Sequence, residues 1–371
     1  AFAALNDDYV KLNMALARAE APMAAIMGLM MAAAAVIVLL YGGRLVIFGE
    51  GLSVGDYIAF TSYLAMLATP VVAIGRLINI YQRGATSWQR LKALFDEAPQ
   101  VANTSSVDHA APTVKGDIEF HGVTLRRDGK TLLDNVNLHV PRGSSLGVTG
   151  RTGSGKSLLA ALLTREFDPS EGEVRIDGRD IREMPLAVLR EGLGVVPQEP
   201  FLFSETLAEN ISFGLPASRA LSGLQTPDLG AVRYAAGIAD LARDVEDFPA
   251  QFETLLGERG VTLSGGQRQR TAMARAIARK PAVLVLDDAL SAVDTETENR
   301  ILTGLRELMA GRTVLLISHR VSALRHTDKI AVVEGGRIVE TGTHEGLLKR
   351  GGPYAELERR QRLSAEPEDG S

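Results

Sequence analysis

The sequence lacks cysteine, and it lacks a surplus of basic residues. Without cysteine, disulfides and thiolate metal sites are excluded. The six histidines show no paired spacing typical of metal ligands. A formal net charge of −5 offers no basic face for a phosphate backbone, so nucleic acid is not an expected partner. Apolar residues are abundant instead, at 46% of 371 residues, which allows a large core plus membrane surface.

A glycine-rich segment follows the apolar run Ser145–Thr149. Its Gly-x4-Gly-Lys-Ser spacing is typical of a phosphate-binding loop, whose backbone N–H groups surround the phosphates. In such a loop Lys156 reaches the outer phosphates and the Ser157 hydroxyl ligates Mg2+. We expect a strand over Ser145–Thr149 and a helix over Ser157 to Thr164. The residues assigned to nucleotide binding are Gly150, Arg151, Thr152, Gly153, Ser154, Gly155, Lys156 and Ser157.

Two further apolar runs, Ala282–Asp288 and Thr313–Ser318, end next to polar residues that suit a phosphate site. Continuous apolar runs indicate parallel strands buried on both faces, whose carboxyl ends open onto a ligand crevice. Asp287 is expected to hold Mg2+, and Asp288 takes the place of a catalytic base. His319 follows the second run and is expected to contact the terminal phosphate.

The segment LSGGQ, Leu263–Gln267, precedes a basic helix reading QRQRTAMARAIARK. Backbone N–H groups and the positive end of that helix form an anion site. No other segment of this chain uses the site in an evident way, so we expect a second chain to supply the phosphate. The residues assigned to nucleotide contact are Leu263, Ser264, Gly265, Gly266 and Gln267.

In this order the motifs resemble the nucleotide-binding domain of an ABC transporter, of the exporter type that fuses membrane spans and ATPase. The resemblance implies transmembrane α-helices followed by an α/β P-loop NTPase domain with a helical signature subdomain. It also implies head-to-tail dimers that close over ATP and Mg2+. Gln198 would be a catalytic residue and a metal contact. Asp294, in the loop between the two sites, would contact the nucleotide region and serve communication across the dimer.

The amino-terminal region predicts two membrane spans, at about 22–48 and 55–75. The stretches Pro22–Tyr41 and Tyr57–Gly75 carry no charge, and each is long enough to cross a hydrocarbon core of roughly 30 Å. A short polar turn, Gly49–Asp56, separates them. Basic residues flank the pair, so both outer ends are expected in the cytosol.

We expect a partial transmembrane domain over 1–95, a polar linker over 96–115, a nucleotide-binding domain over 116–363 and a disordered acidic tail over 364–371. A subunit of the resembled family has six spans, so the chain resembles the carboxyl-terminal part of one. It would be a multi-pass protein of the cell membrane, in bacteria the cytoplasmic membrane, with the ATPase in the cytosol. Membrane lipid and an unidentified exported substrate would be its further partners.

Two residues depart from the family pattern. The family places Glu where this chain has Asp288, and a carboxylate one methylene shorter sits roughly 1.5 Å too far back for general-base catalysis. We therefore expect this site to bind ATP and hydrolyse it slowly. Where the family stacks an aromatic ring on adenine, the strand pattern places Arg127. Its guanidinium either stacks on the base or is only solvent-exposed.

A weak base beside an intact LSGGQ resembles the degenerate-site subunit of a heterodimeric exporter, whose partner chain carries the catalytic Glu. A homodimeric exporter with low turnover is the first alternative. A soluble ABC ATPase of DNA repair or translation is the second, although the two predicted membrane spans and the negative net charge argue against it. An ABC importer ATPase is the third, although such ATPases normally lack fused spans.

Overall fold

The chain folds into two compact units, Ala1–Ala98 and Pro99–Ser371. This computed structural model describes residues 2–49, 51–103, 107, 113–213, 215, 228–257, 263–309 and 311–365. The end of the expected disordered tail, 366–371, lies outside the described residues.

The described residues of the first unit are helical, apart from a short connection before Val54 and residues 96–98 at the end of the unit. Its Ala-, Leu- and Met-rich sequence favours helix. A π-helical segment, Val38–Gly42, interrupts the first long stretch. The helices are α1 (Phe2–Ile37), α2 (Gly43–Ile47) and α3 (Val54–Phe95).

The connection before α3 ends in a capping box. The Ser53 hydroxyl accepts the backbone N–H of Asp56 at 3.1 Å, and the Asp56 carboxylate accepts the Ser53 N–H at 3.1 Å. These two bonds satisfy N–H groups that the helix start leaves free. The expected polar turn over Gly49–Asp56 was therefore too long, because the helix already begins at Val54.

Among the described residues, one helical segment, Gly28–Ile47, is long and apolar enough to cross a membrane. It lies inside the first expected span, 22–48. The second expected span, 55–75, lies within α3 and stays a prediction.

The second unit contains two β-sheets. The first is antiparallel, with strand order β2-β1-β4-β5, and the second has the order β10-β9-β3-β8-β7-β6. In the second sheet every strand pair is parallel except β9 with β10. The strands are β1 (Ile118–Arg127), β2 (Lys130–Val140), β3 (Ser145–Thr149), β4 (Glu171–Ile176), β5 (Arg179–Asp180), β6 (Leu193–Val196), β7 (Val283–Asp287), β8 (Thr313–Ile317), β9 (Lys329–Glu334) and β10 (Arg337–Gly342).

The apolar runs of the sequence become the central strands of the six-stranded sheet. Strands β3 and β8 are buried along their whole length, and β7 is buried up to Asp287. The expected strand over Ser145–Thr149 is confirmed. The helices of this unit are α4 (Lys156–Leu163), α5 (Leu186–Gly192), α6 (Leu207–Ser212), α7 (Leu229–Ile238), α8 (Ala242–Glu246), α9 (Gly265–Ala278), α10 (Thr295–Met309), α11 (Val321–Leu324), α12 (His344–Arg350) and α13 (Pro353–Ala365).

Helices α6, α7 and α9 form a helical layer beside the sheet. Small side chains such as Ala235 and Ala274 are fully buried there, which lets the helices approach closely. Met273 and Ile277 of α9 join the same hydrophobic core as Leu284 of β7. The expected helical signature subdomain is thus anchored to the strand that ends at the candidate site.

Part of the expected linker belongs to the second unit. The carbonyl of Ala102 accepts a hydrogen bond from the buried Arg165 at 3.4 Å, and the Asn103 side chain accepts the N–H of Leu186 at 2.9 Å. Val114 is buried in the core. The compact unit therefore begins at Pro99, well before residue 116.

Candidate functional site

Two glycines of the loop between β3 and α4, Gly150 and Gly155, are required by its geometry. Gly150 has φ +145°, and a Cβ there would lie 2.1 Å from the Val333 carbonyl oxygen. Gly155 has φ +103°, and its Cβ would lie 2.8 Å from Leu133. An L side chain is strained at such φ values and would also clash. Glycine at these positions therefore allows the tight turns by which the backbone N–H groups of such a loop surround a phosphate.

Lys156 begins α4 and is half-buried. Its ammonium group donates hydrogen bonds to the carbonyls of Gly150 and Arg151, both at 3.0 Å. Burial lowers the pKa of Lys156, and the nearby carboxylates of Asp288 and Asp287 oppose that shift. The lysine thus brings a positive charge to the mouth of the loop, close to two acids.

Ser157 and Asp287 meet although 130 residues separate them. The Ser157 hydroxyl donates to the Asp287 carboxylate at 3.1 Å. Burial raises the pKa of Asp287, the Ser157 hydrogen bond lowers it, and Asp288 raises it further. This hydroxyl and carboxylate are oxygen ligands of the kind that Mg2+ prefers. Two of the three residues expected to contact the metal are therefore together.

Asp288 and His319 form a second contact at the same edge of the sheet. The Asp288 carboxylate lies 2.9 Å from the His319 Nδ1, and the backbone N–H of His319 lies 3.4 Å from it. Asp288 has φ +47°, a left-handed conformation that Asp tolerates better than most residues. Its N–H is bonded to the Ile317 carbonyl at 2.9 Å, which holds the end of β7 against the end of β8.

Gln198 lies in the loop after β6, as expected, and is exposed. Its strand pairs with β7 through Val196 and Leu286, so the loop opens at the same sheet edge. Within the described residues, the Gln198 side chain makes no hydrogen bond to Ser157 or Asp287. The expected roles of Gln198 as metal contact and catalytic residue stay predictions.

The LSGGQ segment forms the start of α9. Ser264 is the N-cap, its hydroxyl accepts the Gln267 N–H at 3.2 Å, and the Gln267 side chain accepts the Ser264 N–H at 3.0 Å. A Cβ at Gly266 would lie 3.0 Å from the Ala292 carbonyl. Leu263 is buried and anchors the segment. No hydrogen bond joins this segment to Gly150–Ser157 among the described residues.

Asp294 caps the following helix. Its carboxylate accepts the Thr297 N–H at 2.9 Å, and its carbonyl accepts the Glu298 N–H at 2.8 Å. The hydrogen bond with Thr297 lowers the pKa of Asp294. A local role in α10 therefore accounts for this residue within one chain, and the expected role across a dimer stays a prediction.

Arg127 is exposed at the end of β1, and its guanidinium carbon lies 4.9 Å from the ring centroid of Phe167. This is a cation–π contact. Register shifts between Phe120 and Arg126 interrupt the alternation of side chains along β1. The contact holds the guanidinium over a flat ring, and neither of the two expected roles of Arg127 is tested by it.

Sequence reasoning missed two side chains that clamp the loop after Asp288. Gln269, buried in α9, donates to Ser291 at 2.9 Å and accepts the Ala292 N–H at 3.0 Å. Arg320 donates to the carbonyls of Ser291 and Val293 at 2.9 and 3.1 Å. Both residues are polar and have polar neighbours in the sequence, so hydrophobic periodicity does not indicate their role. The hydrogen bonds of Gln269 connect α9, the helix that LSGGQ begins, to the segment that follows Asp287 and Asp288.

The glycine-rich loop leads from β3, a central parallel strand, into α4, and it lies beside the hydroxyl–carboxylate pair of Ser157 and Asp287. These features define the second unit as a P-loop ATPase domain of the α/β class. Two families match the chain. Residues 133–291 match "ABC transporter", and residues 1–71 match "ABC transporter transmembrane region". The chain therefore belongs to the ABC transporters, with a membrane region and an ATPase domain in one polypeptide.

Curated relatives extend along nearly the whole chain. A probable multidrug resistance ABC transporter ATP-binding/permease protein of Bacillus subtilis is 37% identical over 373 residues, covering 100% of this chain and 62% of that protein. An ATP-dependent lipid A-core flippase of Methylococcus capsulatus is 36% identical over 358 residues, covering 96% of this chain and 58% of that protein. The chain thus spans about three fifths of the length of these relatives.

A solved structure of a bacterial Atm1-family ABC exporter with ATP bound is similar in fold. The TM-score is 0.77 at 33% sequence identity, and the similarity covers 96% of this chain and 62% of that one. The expected fold class, membrane helices followed by an ABC ATPase domain, is confirmed. The match of residues 1–71 to a transmembrane region also argues against a soluble ATPase and against an importer ATPase without fused spans.

Proposed function

We propose that this chain is a subunit of an ABC exporter that binds ATP with Mg2+ and couples its hydrolysis to movement of a substrate across a membrane. The observation that carries this proposal is the contact of Ser157 with Asp287 at 3.1 Å beside the phosphate-binding loop. The ATP in the similar Atm1-family exporter supports the same nucleotide here. The bacterial relatives support the bacterial cytoplasmic membrane as its location.

The residues at the loop fit a nucleotide phosphate and its metal ion. Ser154 Oγ is buried in the loop without a hydrogen-bond partner among the described residues, as suits a group that awaits a ligand. Ser157 and Asp287 would hold Mg2+, with Gln198 as a further contact. The ion would neutralise phosphate charge and orient the reacting group. Lys156 would exchange its two carbonyl partners for the outer phosphates.

Hydrolysis at this site is proposed to be slow. A general base must come within hydrogen-bond reach of the attacking water, about 2.6–3.2 Å. The shorter side chain of Asp288 is directed at His319 Nδ1 instead, at 2.9 Å. Reaching a water in front of the phosphate would require this carboxylate to leave its contact with His319.

A second subunit is proposed to complete each nucleotide site. The positive end of α9, with Ser264 as its cap, makes no hydrogen bond to this chain's own phosphate-binding loop among the described residues. We propose a different chain as partner, one that carries Glu at the place of Asp288. This chain would then give its phosphate-binding loop and Asp287 to the slow site and Leu263–Gln267 to the fast one. The relatives' names, with multidrug resistance and a lipid flippase among them, support an amphipathic or lipid-like substrate.

Turnover of the full-length subunit in lipid nanodiscs, alone and with its partner, tests this proposal. We expect low ATPase activity alone and a large rise with a Glu-bearing partner. Asp288→Asn in this chain should spare most of the joint rate, because the slow site contributes little to it. Partner Glu→Gln should remove most of that rate and is the matched control. High turnover of this subunit alone would instead establish the homodimeric exporter.

A further inference from the structure

The outer face of the four-stranded sheet carries a cluster of acidic and imidazole groups that belongs to none of the nucleotide motifs. We infer that Asp117, Glu119 and His139, with His121 beside them, form a surface site for one borderline divalent metal ion such as Zn2+. We call these four residues the sheet-face cluster. They take no part in the proposed chemistry at the phosphate-binding loop.

The donor atoms lie close enough to share one ion. One carboxylate oxygen of Asp117, one of Glu119 and a ring nitrogen of His139 all lie within 4.8 Å of one another. The His139 Nε2 is 3.0 Å from Asp117 Oδ1, and the His121 Nε2 contacts Glu119 Oε2. Ligands of tetrahedral Zn2+ sit at about 2.0–2.2 Å from the ion, hence about 3.4 Å from each other. Small side-chain rotations would bring these donors to that spacing.

The strand register explains why the donors meet. Glu119 of β1 pairs directly with His139 of β2. Ile118 and Phe120 point into the core, so the alternate positions 117, 119 and 121 share the outer face. Cross-strand partners lie within side-chain reach of each other, and so do residues two apart on one strand. The antiparallel pair thus presents ligands from two strands at one place.

Asp117 is held in position by a second acid. The Asp177 carboxylate accepts the N–H groups of Lys115, Gly116 and Asp117 at 2.6, 3.0 and 3.0 Å. The Asp177 N–H is in turn bonded to the Asp117 carbonyl at 2.8 Å. Outer contacts of this kind fix a ligand's backbone and so favour metal binding.

The composition of the cluster selects the kind of metal. Imidazole nitrogens suit zinc, copper, nickel and iron, whereas sites for Mg2+ and Ca2+ are built from oxygen ligands alone. The neighbouring cation Arg175 is paired with Glu173 at 2.6 Å, which offsets its charge. Two carboxylates remain to balance a divalent ion. The Ser157–Asp287 pair, with oxygen donors alone, is a different kind of site.

The histidines of the sequence show no ligand spacing because the ligands come from different strands. His121 lies in β1 and His139 in β2, on opposite sides of the turn that joins these strands. Only the pairing of β1 with β2 brings them to one face.

Zinc titration of the full-length chain, purified without a metal-binding tag, tests the inference. The protein competes with a chromophoric chelator for Zn2+ in buffer with excess Mg2+, which occupies the nucleotide site. We expect one equivalent of Zn2+ in the native chain. His139→Ala and the near-isosteric Glu119→Gln should each weaken it by more than about a hundredfold, beyond the effect of an outer contact. His326→Gln, a histidine outside the cluster, should bind as the native chain does.

Thermal unfolding supplies an independent readout, since a metal that binds only the folded state raises the Tm. Zn2+ should raise the Tm of the native chain and of His326→Gln, and leave that of His139→Ala unchanged. Absence of a bound equivalent in the native chain would overturn the inference. Native-like zinc binding in both cluster variants would overturn it as well.

Discussion

At the scale of single residues, we propose that the short side chain of Asp288 limits the rate of hydrolysis at this site. Lengthening that side chain by one methylene should restore the reach of a general base. We expect Asp288→Glu to raise hydrolysis at this site by roughly ten to a thousandfold. The measurement is single-turnover hydrolysis by the full-length subunit paired with a partner whose catalytic Glu is changed to Gln.

Two further variants serve as controls in that experiment, one without the charge of Asp288 and one without the charge of Asp287. Asp288→Asn retains the left-handed backbone at φ +47°, which Asn tolerates, and removes the carboxylate. It should hydrolyse no faster than the native chain. Asp287→Asn should weaken Mg2+-dependent ATP binding, because it removes the charge beside Ser157. If Asp288→Glu stays at the native rate, the short base is not the cause of slow turnover.

At the scale of elements, the phosphate-binding loop offers a matched pair of glycines. In Gly150→Ala the new Cβ would lie 2.1 Å from the Val333 carbonyl oxygen, so the loop must move. In Gly153→Ala the Cβ meets nothing within 4 Å, and only the strain of φ +78° remains, about 1–2 kcal/mol. Titration with a fluorescent ATP analogue should show binding lost in the first and kept within about thirtyfold in the second. Equal losses would mean that contact with Val333 is irrelevant.

The start of α9 combines helix capping with the proposed contact to a partner's nucleotide. Ser264→Ala should lower stability by about 0.5–2 kcal/mol, as the loss of an N-cap does. It should also lower turnover of the complex with the partner. Thr343→Ala removes the hydroxyl that accepts the Gly346 N–H at 3.2 Å in α12 and is the matched control.

Denaturant unfolding and ATPase assays on the same samples distinguish the two roles of Ser264. Thr343→Ala should lose similar stability and keep its turnover. A Ser264→Ala complex with native turnover would confine this residue to capping.

At the scale of the whole molecule, the segment Gly28–Ile47 should hold the chain in a membrane. The full-length chain should stay with the lipid pellet after alkaline carbonate washing. A charge near the middle of a span costs about 2.5–3.5 kcal/mol. Ile37→Arg should therefore increase the extracted fraction, whereas Leu12→Arg, outside the apolar segment, should not. Release of the native chain by carbonate would contradict membrane insertion.

Several elements of this protein could be predicted from its sequence, because neighbouring residues specify them. The phosphate-loop spacing specifies glycines at tight turns, and continuous apolar runs specify buried parallel strands. Ser264 and Gln267 stand at the spacing of a capping box, so the helix start at Gly265 follows from neighbouring residues. The membrane region, too, was evident from an uninterrupted apolar stretch.

The tertiary structure alone decided which of these segments meet. Periodicity identifies a parallel strand but not its neighbours, and it is the position of β8 between β3 and β7 that sets His319 against Asp288. The contact of Arg127 with Phe167 and the clamp by Gln269 likewise join residues distant along the chain. The pairing of β1 with β2 assembles the sheet-face cluster in the same way. Packing between segments that are distant in the sequence determines such contacts, so they cannot be predicted from the local sequence pattern.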